Sequence, residues 1–288
     1  MAERFDVCVV GSANLDLVAT TARHPRPGET VLGSSYAEHP GGKGLNQAVS
    51  AARSGASTAF VSALGSDTAG DQLRSVLADE RIDARGVATV DVPTGRALII
   101  VDESGENSIV VIPGANATIT PQVAVPPASV VLAQLEIPVD AVVAALIAAQ
   151  AGGSTVVLNP APAAPLPSEL VAACDVVVPN EHELELSGGA ARLLADGCGA
   201  VVVTLGGDGV DVYTQAGTTH IPAHDVEVVD TTGAGDAFCG ALSARLAAGD
   251  ELLTAVRWAC AAGALATTVH GAVPAQPSAD SIAALLTG

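Results

Sequence analysis

Asp230-Thr231-Thr232-Gly233-Ala234-Gly235-Asp236-Ala237-Phe238 is the stretch on which the fold turns. An apolar run with strand character, 226–229, leads into it, and a proline-free segment rich in Ala and Leu, 237–248, follows. The pattern predicts a strand, a glycine-rich turn and the start of a helix. Gly233 and Gly235 permit backbone angles and a close approach that a side chain would forbid. The first turn of a helix leaves N–H groups unpaired, and its dipole favours negative charge, so such an end takes up phosphate. Asp236 is out of place beside a phosphate unless its use is chemical. It can take a proton from a substrate hydroxyl while the N–H groups hold the phosphoryl group in transfer. The same residues also fit a capped helix behind an ordinary turn, and this stretch alone does not separate the two.

Working outward, the chain alternates apolar runs with helical patterns. The run 5–10 is of buried-strand type and ends at Gly11-Ser12-Ala13-Asn14-Leu15-Asp16. In open α/β sheets ligands gather at the carboxyl ends of strands. Asn14 and Asp16 stand there two apart, on one face of a continuing strand, and suit the hydroxyls of a polyol; Asn and Asp in a turn are the structural alternative. Pro27-Gly28-Glu29-Thr30 is a turn, and 30–36 reads as a strand. Pro40-Gly41-Gly42-Lys43-Gly44-Leu45-Asn46-Gln47 opens a helix that stops at Gly55, a C′ glycine. Lys43 and Asn46 share a helical face near its N-terminus. A lysine opposes the dipole there, which hints at function, although a solvated lysine would look the same. The spacing is not that of a G-x-x-x-x-G-K-[ST] phosphate loop.

The run 57–65 is a second buried strand and 70–80 an amphipathic helix. A strand-like run over 82–90 follows. Runs over 95–102 and 108–113 flank Glu103-Ser104-Gly105-Glu106-Asn107, a hairpin by its turn chemistry. With strands near 14–20 and 30–36 they predict a small separate sheet, a lid over the main one, able to keep water from a reacting phosphoryl group. From Ser129 onward strands end at Glu136, Asn159, Asn180 and Thr204, with helices between and a closing apolar helix over 252–268. That alternation predicts a parallel sheet with helices on both faces. One domain of 1–288 with a lid from about 14–40 and 95–113 is the economical organisation.

Bulk composition narrows the function. The 288 residues suffice for one large domain, and 49% of them are apolar while only 2% are aromatic, so Ala, Val, Leu and Ile fill the core. The net charge of −19, from 12 basic and 31 acidic residues, argues against nucleic acid or an anionic membrane as partner. Cys8, Cys174, Cys198, Cys239 and Cys260 are scattered without metal-ligand spacing and read as buried thiols. Neither a signal-peptide pattern nor an uninterrupted membrane-length run is present, and a cytoplasmic protein is expected.

Three segments together resemble the PfkB carbohydrate kinase family, and within it the ribose kinases. They are 11–16 with 27–30 and Gly41-Gly42-Lys43-Gly44-Leu45-Asn46-Gln47-Ala48; Asn180-Glu181-His182-Glu183, similar to the family's N-x-x-E motif; and Asp230 to Asp236. Gly114-Ala115-Asn116, Gln134-Leu135-Glu136 and Asn159-Pro160-Ala161-Pro162-Ala163 read the same way, so the resemblance covers essentially the whole chain. It implies a three-layer α/β/α domain, with a central mostly parallel sheet and a small β-sheet lid. It implies ATP-dependent phosphorylation of D-ribose at O5, with Asp236 as general base and Gly233, Ala234 and Gly235 as anion hole. Asn14, Asp16, Gly42, Lys43, Asn46 and Glu136, with Asp236, would hold the sugar. Asn180, Thr204, Gly206, Gly209 and Gly235 would bind ATP, and Asn180 and Glu183 would organise Mg²⁺ through water. A monovalent cation, K⁺, would sit near the anion hole on Asp230, Thr232, Thr267, Gly271 and Ala275. A homodimer joined through the lid is the family expectation. Two departures stand out: Ala275 occupies a position where the ribose kinases commonly carry Ser, and the segment between Glu183 and Ala200 is short. A kinase for fructose, a deoxysugar or a nucleoside is the alternative within the family, and a non-catalytic sugar-binding protein the alternative outside it. The scarcity of aromatics disfavours a nucleoside, whose base needs an apolar surface.

Overall fold

Val7, Cys8, Val9 and Val10 are all fully buried, and successive residues enter two different cores. A strand does this when both faces of its sheet are covered by helices. The computed structural model describes residues 4–287. In chain order its elements are β1 (Phe5–Val10), β2 (Asn14–Thr21), β3 (Gly33–Gly41), α1 (Lys43–Arg53), β4 (Thr58–Gly65), α2 (Thr68–Asp79), β5 (Asp83–Val90), β6 (Gly95–Asp102), β7 (Asn107–Ile112) and β8 (Ala128–Ala133). Then come α3 (Val139–Ala151), β9 (Thr155–Leu158), α4 (Ser168–Ala172), β10 (Val176–Val177), α5 (Glu181–Leu186), α6 (Ala190–Ala195), β11 (Ala200–Thr204), β12 (Val210–Thr214), β13 (Gly217–Ile221), α7 (Ala234–Ala247), α8 (Leu252–Ala266), α9 (Ala272–Ala275) and α10 (Ala279–Thr287).

The main sheet has nine strands in the order β13-β12-β11-β10-β9-β8-β1-β4-β5. From β11 to β5 every pairing is parallel, and β12 and β13 add an antiparallel hairpin at one edge. One core packs Leu45 and Val49 of α1, Leu73 and Leu77 of α2, Leu242 of α7 and Val256 of α8 against the sheet. The other packs Val142 and Leu146 of α3, Leu170 of α4 and Leu193 of α6 against its opposite face. The result is the three-layer α/β/α architecture expected from the alternation. Strand β1 lies between β4 and β8, so the chain winds away from it in both directions, and the crevice beyond its carboxyl end is where such sheets bind ligands.

A second sheet of four strands, in the order β3-β2-β6-β7, stands apart. Its β3 runs over Gly33–Gly41, further along than the 30–36 expected, because all of β2 from Asn14 to Thr21 finds a partner on it. Pro40 lies within β3, which tolerates it because β3 is an edge strand, where a missing N–H costs little.

One expectation fails outright. Residues 226–229 form no strand. The N–H groups of Val229 and Asp230 both donate to the Thr267 carbonyl at the end of α8, at 2.8 and 3.0 Å, instead of to a neighbouring strand. The alternation Asp225-Val226-Glu227-Val228 has the period of a strand, but its valines line a cleft. The hairpin of β12 and β13 was not read from the sequence.

Helices α1 and α7 make an unusually close contact. A Cβ on Gly240 would lie 2.4 Å from the Ser50 Cβ and 2.5 Å from the Gln47 carbonyl oxygen, so only glycine fits. The Ser50 hydroxyl donates to the Ala237 carbonyl at 2.8 Å across the same contact. This approach sets the active-site face of α1 against the first turn of α7. All five cysteines are buried free thiols.

Candidate active site

Asp236 sits in the first turn of α7 and is 7% exposed. Its Oδ2 accepts the Asn46 side-chain amide and its Oδ1 that of Gln47, each at 2.8 Å. Lys43, Asn46 and Gln47 are three and four apart on α1, so all three look the same way. Gly233 begins α7 in the left-handed region at φ 78°, and space opposite Gly235 is open to 4 Å and beyond. The α7 N-terminus therefore presents N–H groups to a cleft beside a buried carboxylate. Asn46 Oδ1 is buried and has no partner within the protein, an acceptor left over for a ligand hydroxyl.

Burial pulls the Lys43 ammonium down, but Asp236, Glu136 and Glu183 more than offset it, and its pKa ends above the ordinary value. Lys43 is also the sole lysine of the chain. Glu136, at the end of β8, accepts the Ser12 hydroxyl at 2.6 Å and the Lys43 backbone N–H at 3.2 Å. Helix α1 has no acidic residue in its own first turn, and Glu136 supplies that charge from another strand. It thus anchors the helix as well as facing the site.

Asn14 and Asp16 open β2, the strand that leaves the main body for the small sheet. Asn116 positions Asn14: its amide donates to Asn14 Oδ1 at 2.8 Å and to the Ala13 carbonyl at 3.2 Å. The Asp16 carboxylate lies against Gly41, where a Cβ would be 2.1 Å from its oxygen. Burial first, and then the charges of Glu136 and Asp236, push the Asp16 pKa up to about 7. Gly42 caps α1 at φ 89°, adjacent to the Asn14 backbone. The structure thus brings Asn14, Asp16, Gly42, Lys43, Asn46, Glu136 and Asp236 to one end of the sheet.

On the far side of α7 a cleft of about 480 Å³ is lined by Thr204, Gly206, Gly209, His224, Val226, Val228, Gly235, Phe238, Gly263, Ala264 and Thr267, among others. Thr204, Gly206, Gly209 and Gly235 were read from sequence; the 224–228 segment and the α8 residues were not, because neither carries a polar motif. Asn180 is not among the lining residues. It caps α5, its Oδ1 accepting the Glu183 N–H at 2.8 Å, while Glu183 Oε2 accepts the Asn180 N–H at 2.9 Å. The N-x-x-E motif is thus a capping box. Glu183 is buried, at 8% exposure.

Asp230 ties the entrance of α7 to the loop before α9. Its Oδ1 accepts the Thr232 N–H and its Oδ2 the Gly271 N–H, both at 2.9 Å. Although burial opposes it, those bonds and His270 hold its carboxyl below the usual value. The Thr267 carbonyl accepts two N–H groups, as above. Ala275 is buried in α9 and offers no side-chain oxygen. Beside it Gln276 donates to the Ala272 carbonyl at 3.0 Å and the Gly233 carbonyl at 3.4 Å, while its Oε1 is buried without a partner. Among the described residues no group of three or more His, Cys, Asp or Glu could hold a metal by itself.

Comparison with known proteins fits this geometry. A family model described as pfkB family carbohydrate kinase matches residues 4–279. A ribokinase of Staphylococcus aureus is 37% identical, over 96% of this chain and 98% of its own. The crystal structure of a Thermotoga maritima ribokinase superposes with a TM-score of 0.91 at 33% identity, covering 98% of this chain and 99% of that one. An Arabidopsis thaliana ribokinase, solved with ribose and ATP, superposes with a TM-score of 0.90 at 32% identity over the whole of both chains.

Proposed function

The chain belongs to the pfkB family of carbohydrate kinases, and from that premise we propose that it transfers the terminal phosphoryl group of ATP to O5 of D-ribose, giving D-ribose 5-phosphate. The observation that carries the reading is the buried Asp236 carboxylate, fixed by two amides at the N-terminus of α7, between a polar sugar side and a nucleotide cleft. Asn14, Asp16, Gly42, Lys43, Asn46 and Glu136 hold the sugar so that its O5 hydroxyl meets Asp236. The proton passes from O5 to the carboxylate, and the freed oxygen attacks the terminal phosphorus as its bond to the bridging oxygen breaks and ADP leaves. Charge that gathers on the phosphoryl oxygens is met by the N–H groups of Gly233 and Gly235, and by that of Ala234 once it leaves the Thr231 carbonyl, to which it donates at 3.2 Å. General base catalysis contributes about 10²- to 10⁴-fold, so positioning and the anion hole supply the rest.

ATP brings several negative charges to a chain of net charge −19. A divalent cation belongs with it, and we propose Mg²⁺, which keeps water and phosphate oxygens in its shell and needs few protein ligands. Glu183 suits such water-mediated contact. When bound, Mg²⁺ neutralises phosphate charge. K⁺ is proposed near the anion hole, beside Asp230, Thr232, Gly271 and Ala275; the unpartnered Gln276 Oε1 supports an acceptor-rich site there. Thr267, its carbonyl already doubly occupied, is the poorest of the five expected ligands. The described chain acts as one kinase domain with the four-stranded sheet as its lid. A cytoplasmic location suits five free thiols.

The test is ATP turnover across ribose, 2-deoxyribose, fructose, fructose 6-phosphate and adenosine, with and without K⁺ and excess chelator. Ribose is expected to dominate and chelator to abolish turnover. A different preferred sugar overturns the specificity, and full activity in chelator overturns the metal requirement.

A further inference from the structure

Gln47 is fully buried, as is Gln134 at the end of β8, and Asn159 beyond β9 is 9% exposed. No role in the sugar or nucleotide site falls to any of the three, yet they form one connected hydrogen-bond chain that ends on Asp236. Gln47 Nε2 donates to Asp236 Oδ1 at 2.8 Å and to Asn159 Oδ1 at 3.0 Å. Its Oε1 accepts the amide of Gln134. The Asn159 amide in turn donates to the Val178 carbonyl at 2.9 Å. The carboxylate on α7 is thereby bolted to α1 and to the ends of three adjacent parallel strands. The anchor is rigid: Gln134 Oε1 packs on Gly11 so closely that a Cβ there would lie 2.0 Å from it.

The two oxygens of Asp236 are not equivalent. Oδ1 faces this interior chain, whereas Oδ2 faces Asn46, whose own Oδ1 is buried without a partner in the protein. An amide can donate to a carboxylate but cannot exchange a proton with it, so it holds orientation without competing for the chemistry. We propose that Gln47 is the positioning residue of the general base, fixing Oδ1 to the sheet so that Oδ2 receives the substrate proton. This inference rests on the kinase reading above. Gln47 acts through Asp236 and touches no substrate, so it governs the rate of transfer rather than sugar affinity.

The test uses Gln47→Met, which keeps the volume without the donor, and Gln47→Glu, which still accepts the Gln134 amide but has no donor for Asp236. Each is made alone and combined with Asp236→Asn, and kcat is normalised to folded protein by ribose binding. Each single variant is expected to lose about 10- to 100-fold in kcat with the ribose KM within about twofold. In the Asp236→Asn background neither is expected to cost more, because the residue it serves is gone. A kcat within threefold of wild type, an equal loss in both backgrounds, or a rise in KM without a fall in kcat overturns the inference. Should Gln47→Met not fold, Gln47→Glu alone decides. A wild-type enzyme with no turnover of any sugar is a separate result and refutes the kinase reading itself.

Discussion

Asp16 belongs to β2 of the small sheet but feels the charges of two carboxylates of the main body, Glu136 and Asp236. Its ordinary value of 3.8 is pushed up to about 7, so between those limits the folded protein holds a proton that the unfolded chain has released. Stability from this group is complete below pH about 4 and is lost as pH rises towards 7. The apo protein should therefore melt lower at pH 8 than at pH 5 by more than Asp16→Asn does, by at least ~2 °C given the size of the chain. Equal pH responses in the two proteins, followed by calorimetry, would show that Asp16 is not desolvated as described. At this scale the sequence is legible only in part. Asn14, Asp16, Lys43, Asn46 and Asp236 announce themselves as polar residues in glycine-rich or strand-end settings. Gln47 stands in the same motif, yet its sequence position does not show that it holds Asp236 Oδ1 and ties it to Gln134 and Asn159. Asn180 and Glu183 carry the spacing of a capping box in plain view, and the structure forms it.

Among elements, the helices and parallel strands of the main body follow from periodicity, since each is amphipathic or wholly apolar in the way its place demands. The failures share one cause. Residues 226–229 have a strand's alternation, and 37–41 lie beyond the strand expected over 30–36, but whether a segment pairs depends on what lies beside it, which no local pattern records. The lid sheet raises the opposite question. Every residue of β7 is exposed, with Ile109, Val110, Val111 and Ile112 between 44 and 60% accessible, and Leu98 on the adjacent β6 and Tyr36 on the opposite edge strand β3 are exposed as well. An edge strand so apolar invites pairing or aggregation unless it is covered. A second copy of the chain packed lid to lid is the cover we propose. Val110→Asp should shift the protein from dimer to monomer in sedimentation at micromolar concentration, with the main-body melting transition intact. A wild-type protein that sediments as a monomer would contradict it.

Taken whole, the molecule meets an anionic nucleotide and a neutral sugar with a strongly acidic chain and one lysine. It does so with direction rather than net charge: the α7 N-terminus, the glycine turn and the amide-held carboxylate all converge where the crevice of the parallel sheet opens. The close packing of α1 on α7 at Gly240 is what makes that convergence possible, since it carries Lys43, Asn46 and Gln47 to Asp236. The central claim is that Asp236 accepts the proton of the sugar hydroxyl. It is tested most directly by comparing Asp236→Asn with wild type for ribose-dependent ATP turnover, alongside ribose binding by calorimetry. The predicted result is a fall in kcat of about 10²- to 10⁴-fold with ribose affinity within about threefold. A variant that keeps more than a tenth of the wild-type kcat would contradict the claim and leave Asp236 a structural acceptor for the Asn46 and Gln47 amides.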